Sequence, residues 1–165
     1  MGNVRLYLFA LNQKGNKVEY GKILDFLAPC GLSCRKCLAY TKGEIPRHSI
    51  ELQKLLGNFD VYAERFSVFL PEFKNYPSFK RMLAYLAKPD CDGCRQGTCK
   101  YPNCGVVECY EKKGVDFCFQ CDEFPCDKTN FDPHLKQRWI KMNNRMKEIG
   151  VESYYEEAKN LCRYL

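Results

Sequence analysis

The sequence predicts a small, mainly α-helical protein whose helices pack around cysteine-rich loops. Three observations carry this reading. Apolar residues recur at three- and four-residue steps between Pro46 and Lys88 and again after Phe131. Eight cysteines crowd into residues 91–126, CDGCRQGTCKYPNCGVVECYEKKGVDFCFQCDEFPC. The length, 165 residues, suits one domain with a core of its own. With 45% hydrophobic, 14% aromatic and 28% charged residues, the composition is that of a folded chain and excludes general disorder.

Along the chain, residues 1–27 read as a strand-like extension. Residues 4–23 hold two segments rich in Val, Leu, Ile, Tyr and Phe around a polar NQKGN centre, the pattern of a hairpin, through which a small α+β arrangement would arise. Residues 28–130 form a cysteine-rich core with a helical insert at 46–88. In the insert, Ile50, Leu55, Leu56, Phe59, Tyr62, Phe66 and Phe69 share one helical pattern, and Phe79, Met82, Leu83 and Leu86 another. Gly57 and Pro71 punctuate it, and Ser78 is expected to cap the second helix. Residues 131–165 predict two amphipathic helices, one presenting Leu135, Trp139, Met142 and Met146 before Gly150, the other Val151, Tyr154 or Tyr155, Ala158, Leu161 and Leu165. Cys162 falls on that last stripe and is expected to be a buried small hydrophobe.

The start, MGNVRLYLFAL, carries Arg5 inside its apolar run and no small-residue cleavage pattern, so it is a poor secretory signal. No run approaches membrane-spanning length. Leu6 stands where a myristoylation pattern has Ser or Thr. A cytoplasmic location with no membrane partner is therefore expected. In a reducing compartment, the twelve cysteines are expected to serve as metal ligands, redox groups or buried side chains rather than as disulfides.

Eleven cysteines fall into patterns. Cys30, Cys34 and Cys37 lie in CGLSCRKC, Cys91 and Cys94 in CDGC, and Cys118 and Cys121 in CFQC, with Cys99, Cys104, Cys109 and Cys126 between and after them. Two thiolates separated by two residues can face one ion from a tight turn whose N–H groups support the sulfurs. Two such pairs in tandem predict a tetrahedral zinc site built from Cys91, Cys94, Cys118 and Cys121, with Cys104 or Cys126 able to displace one of them. The CGLSCRKC triplet needs a fourth ligand, for which Cys126, Cys109, Cys104 and Cys99 are candidates. Two Zn2+ ions are expected, and a third is not excluded by the thiol count. His48 and His134 are the two ring-nitrogen donors that would make up a deficit. A nearly all-sulfur ligand set is that of closed structural sites. No GxSxG, HExxH, GxxxxGK[ST] or GxGxxG pattern points to catalysis.

The order CGLSCRKC, CDGC, then CGVVECYEKKGVDFCFQCDEFPC resembles the uncharacterised cysteine-rich microbial family DUF3795 over roughly residues 28–130. The positions matching its motifs are Cys30, Cys34, Cys37, Cys91, Cys94, Cys104, Cys109, Cys118, Cys121 and Cys126. The resemblance implies a small zinc-binding fold without a known reaction, with those ten cysteines as metal ligands. Cys99 departs from the family pattern.

Two rivals to the zinc reading use the same thiols. The C-x3-C-x2-C spacing of Cys30, Cys34 and Cys37 is shared with radical S-adenosylmethionine enzymes, but only 128 residues follow Cys37, too few for their large partial barrel, and Lys36 occupies a position that is usually aromatic there. A simpler iron-sulfur or thiol redox protein is the alternative, in which Cys99, Cys104 and Cys109 beside Lys100, Lys112 and Lys113 would be reactive.

The formal charge of +6, with Arg138, Lys141 and Arg145 along one helix face, invites nucleic acid. However, each four-thiolate zinc carries two negative charges, so two sites lower that total to +2 and three to zero. A protein partner for a metal-stabilised interaction module is the expectation, with nucleic acid second.

Overall fold

The computed structural model describes residues 18–97 and 99–164. Among the described residues the protein is mainly α-helical, with seven α-helices and no strand: α1 Tyr20–Phe26, α2 Glu44–Leu56, α3 Asp60–Phe66, α4 Tyr76–Leu86, α5 Val106–Lys113, α6 Pro133–Ile149 and α7 Val151–Asn160. Pairing of the extended type is confined to isolated bridges, Leu27 with Ser33 and Tyr40 with Cys91. No described helix is long and apolar enough to cross a membrane.

The expected N-terminal hairpin is corrected where it can be seen. Its second arm is helix α1, because Ile23, Phe26 and Leu27 recur at helical steps and are buried together against Val151, Tyr154 and Ala158 of α7. The first arm lies outside the described residues. Helix α5 also interrupts what the cysteine spacing suggested was loop; its VVECYEKK run ends at Gly114, which takes a left-handed φ of 63°.

The chain forms two compact units, one of Met1–Arg35 with Gly93–Leu165 and the other of Lys36–Asp92. The boundaries fall inside CRKC and CDGC, so Cys34 and Cys94 belong to the first unit and Cys37 and Cys91 to the second.

In the first unit, the predicted stripe of α6 is buried as its spacing implies, with Trp139 and Met146 nearly inaccessible and Leu135 and Met142 packed alongside. Asp132 caps α6, accepting from the N–H groups of His134 and Leu135 at 2.9 and 3.0 Å. Gly150 alone separates α6 from α7, and a bidentate pair from Arg145 to Glu157 ties the two helices. Helix α7 stops at Asn160, one turn before the sequence pattern does. Leu161 is extended and half-exposed, and Cys162 is exposed, which overturns its expected burial.

Arg95, between the thiols of CDGC and Cys99, is a half-buried cation in this unit. Its guanidinium donates to the carbonyls of Leu24 and Leu27 at the end of α1 and of Asp116 (3.2, 3.3 and 2.8 Å), and lies 5.4 and 5.1 Å from the ring centres of Tyr110 and Phe117. A planar fork between two aromatic rings satisfies three carbonyls that an ammonium group cannot reach together.

The second unit is the helical insert. Phe59 is its hub, with the rings of Tyr62, Phe66, Phe73 and Tyr76 at 5.3–6.3 Å. Gly57 closes α2, as its position suggested. Helix α4 opens at Tyr76 after Asn75, with Pro77 in its first turn, so Ser78 is inside the helix and is not its cap. Much of the expected apolar stripe is on the surface: Leu55 is 84% exposed, with Ile50, Tyr62, Phe69, Phe79 and Met82 also exposed, and so, outside that stripe, are Val68 and Tyr85.

Two stability predictions follow from this packing. Arg95→Lys lowers stability by about 2 kcal/mol in denaturant unfolding, through lost stacking and orphaned carbonyls. In the second unit, Phe59→Ala costs about 3 kcal/mol whereas Leu55→Glu stays within about 0.5 kcal/mol, measured the same way.

Candidate functional site

The site is organised by the loop Ala28–Cys34, which carries CGLSC. Five successive carbonyls of this loop are all bonded. Pro29 accepts from the Cys118 N–H (3.0 Å), Cys30 from Asn143 Nδ2 (2.9 Å), Gly31 from the Tyr154 hydroxyl (3.2 Å), Leu32 from the Ala28 N–H (2.8 Å) and Ser33 from Arg163 (2.5 Å). Gly31 is needed at its position for two reasons. Its φ is 91°, and an added Cβ would stand 2.9 Å from Met146 Cε and 3.2 Å from Met142 Cβ.

Asn143 is the most connected of these partners. It lies fully buried on α6, and besides Cys30 it donates to the Trp139 carbonyl (2.9 Å) and accepts from the Phe119 N–H in CFQC (3.0 Å). One amide side chain thus fixes the CGLSC loop and the CFQC turn to the same helix. Sequence reasoning missed it, although a signal was present: an Asn between Trp139 and Met146 on an apolar stripe is a buried polar residue in need of partners.

One group of thiols gathers on this loop. Cys34, Cys94, Cys99 and Cys104 follow one another as neighbouring sulfurs, each interacting with the next. Through these neighbours Cys94 and Cys104 are raised and Cys34 and Cys99 lowered, so that negative charge is shared along the row of sulfurs. Cys30 is coupled electrostatically to Cys34 and Cys99, and burial pushes its thiol up to about 11. The guanidinium of Arg163 pulls Cys30, Cys34 and Cys99 the other way.

A second group surrounds a cavity of about 30 Å³, lined by Cys109 on α5 and by Cys118, Cys121 and Cys126, with Trp139 also at its wall. Burial pushes the Cys118 thiol up to about 12, opposed by the indole of Trp139. Trp139 Nε1 is buried and completes no hydrogen bond of good geometry, although it is near enough to Cys118 to favour that thiolate. Lys113 and Lys128 line the same cavity and both pair with Glu123 at 2.5 Å, bringing two cations to the thiol group. Gly105 opens α5 where its backbone meets the 128–129 segment, and a Cβ there would collide with the Lys128 carbonyl.

The structure therefore pairs the thiols differently from their spacing in the sequence. Cys94 joins Cys34, Cys99 and Cys104, while Cys118 and Cys121 join Cys109 and Cys126. Cys99, outside the family pattern, sits within the first group. Cys37 and Cys91 lie in the second compact unit, where Cys91 is buried beside the Ala39 carbonyl that its N–H donates to. His48 is exposed on α2, bonded to Arg47 and Glu51, and His134 is exposed at the start of α6. None of the twelve cysteines is in a disulfide. Among the described residues, no three Cys, His, Asp or Glu side chains already stand in ion-holding geometry.

Two substitutions test this framework. Asn143→Leu costs about 3 kcal/mol, because it orphans the Cys30 carbonyl and the Phe119 N–H in the interior, and Asn143→Asp costs at least as much by burying a carboxylate against carbonyl oxygens; both are read by denaturant unfolding. Gly105→Ala lowers stability by about 2 kcal/mol or more through the collision with Lys128.

A family model described as "Protein of unknown function (DUF3795)" matches residues 26–131. No curated protein and no solved structure matches the chain. The matched span runs from the end of α1 to the residue before the α6 cap and includes both thiol groups, and on this basis the chain belongs to the DUF3795 family of unknown function.

Proposed function

We propose that the protein is a structural zinc-thiolate module. The observation that carries this reading is the placement of Cys109, Cys118, Cys121 and Cys126 around one small cavity. The donor set is all sulfur, as a closed zinc site requires. Its surroundings also fit anionic sulfurs, since the Trp139 N–H has no completed bond and two lysines line the wall. Turning the four side chains inward is the adjustment the ion would demand. Cys30, Cys34, Cys94, Cys99 and Cys104 supply enough thiols for a second ion of the same kind. Zinc bound there supplies a closed cross-link that contributes to folding and leaves no open coordination position for substrate.

The partner class in this reading is protein. Arg145 is occupied by Glu148 and Glu157, so the basic face of α6 is partly neutralised within the fold. The second unit, by contrast, exposes the large apolar side chains already named.

A second reading, thiol redox or iron-sulfur chemistry, is favoured by the neighbouring placement of Cys34, Cys94, Cys99 and Cys104, none of them in a disulfide.

Elemental analysis of natively purified protein, with thiol counting, separates these readings. The expected result is about two zinc ions per chain and few alkylatable thiols. Cys118→Ser or Cys126→Ser then loses one zinc equivalent and Cys162→Ser loses none. Iron with inorganic sulfide, or a folded metal-free protein, overturns the zinc reading.

A further inference from the structure

A separate cavity of about 350 Å³ opens in the first unit, beside the CGLSC loop. One wall is α6, where His134, Arg138 and Lys141 follow at four- and three-residue steps and so share a face. Arg163 adds a further cation from the segment after α7. No carboxylate among the described residues lines the cavity. Among the described residues, Lys141 is exposed and has no hydrogen-bond or ion-pair partner, and Arg138 bonds a backbone carbonyl and pairs with no acid. Leu32, Met142, Ala158 and Leu161 make the remainder of the lining largely apolar.

A concave, mostly apolar site with a few convergent charges of one sign is the form of a pocket for a small organic ion. Arginine and lysine together suit phosphate or carboxylate oxygens, the arginine through its planar fork and the lysine as a point charge. We propose that this cavity binds a small organic oxyanion, a phosphate or carboxylate on an apolar body, with Arg138, Lys141 and Arg163 receiving the oxyanion. The cavity is separate from the site of Cys109, Cys118, Cys121 and Cys126, none of which lines it, and abuts the other thiol group through Gly31, Leu32 and Ser33, which join Cys30 to Cys34.

Cys162 lines the cavity as an exposed thiol and therefore reports on it. The full-length protein is treated briefly with anionic iodoacetate or neutral iodoacetamide, and labelling is read by mass spectrometry on the tryptic peptide Asn160–Arg163, which isolates this thiol from the others. The expected iodoacetate-to-iodoacetamide rate ratio at Cys162 is at least about threefold that of the same peptide in the denatured chain, because local cations concentrate the anionic reagent. Phenyl phosphate and benzoate slow labelling, benzamidine does not, and inorganic phosphate protects more weakly. Lys141→Glu abolishes both the ratio and the protection, and Lys141→Met, which keeps the aliphatic stem, weakens them. The exposed, unpaired position of Lys141 keeps the fold, checked by circular dichroism. A ratio equal to the denatured chain, equal protection by benzamidine, protection by a single-stranded oligonucleotide but not by phenyl phosphate, or indifference to Lys141→Glu overturns the proposal.

Discussion

The cysteine-rich unit depends on the complete bonding of one short loop. Between Pro29 and Ser33 every carbonyl has a donor, and the donors come from the CFQC turn, α6, α7, the loop itself and the segment after α7. A loop this buried would otherwise carry several unsatisfied acceptors, each costing about 1–3 kcal/mol. Its bonding therefore sets where α6 and α7 must lie. Those positions in turn bring Trp139 to Cys118 and Arg163 to the thiols of Cys30 and Cys34.

The same constraint explains why the helices and the thiols form one core. Ala28, Cys30, Leu32, Cys34, Val106 and Trp139 are buried together, with Cys94, Cys104, Cys118 and Cys126 packed against them. Thiols that share a core with an indole and aliphatic side chains are desolvated, which raises Cys30 and Cys118, and only specific neighbours offset this: neighbouring sulfurs, an indole N–H and the guanidinium of Arg163. Both thiol groups thus have local means of supporting negative sulfur, the electronic condition that metal coordination and redox chemistry share.

The second unit follows a different economy. Its stability rests on rings converging at Phe59, and the rest of its apolar stripe faces outward. The helical periodicity that marked these residues as core was a correct reading of secondary structure. Periodicity identifies a face, however, and not what lies against it, so Leu55 and Met82 carry the signature of burial while standing in solvent.

Several features were set by local sequence alone. The α6 stripe, the Gly57 and Gly150 stops and the helical insert follow from backbone preference and from side chains three and four residues apart, and the ordered cysteine motifs suffice for family membership. Tertiary structure decided the rest. Arm or helix at Tyr20–Phe26 was settled by packing on α7, and Cys162 left the core because α7 ended one turn early. The thiols were regrouped because sulfurs meet according to where their loops are held, and those loops are held by Asn143, Tyr154, Arg163 and Arg95, residues distant in sequence from most of the backbone groups they bind. Spacing along a chain constrains only neighbours, whereas hydrogen bonds from distant side chains determine which neighbours become one site.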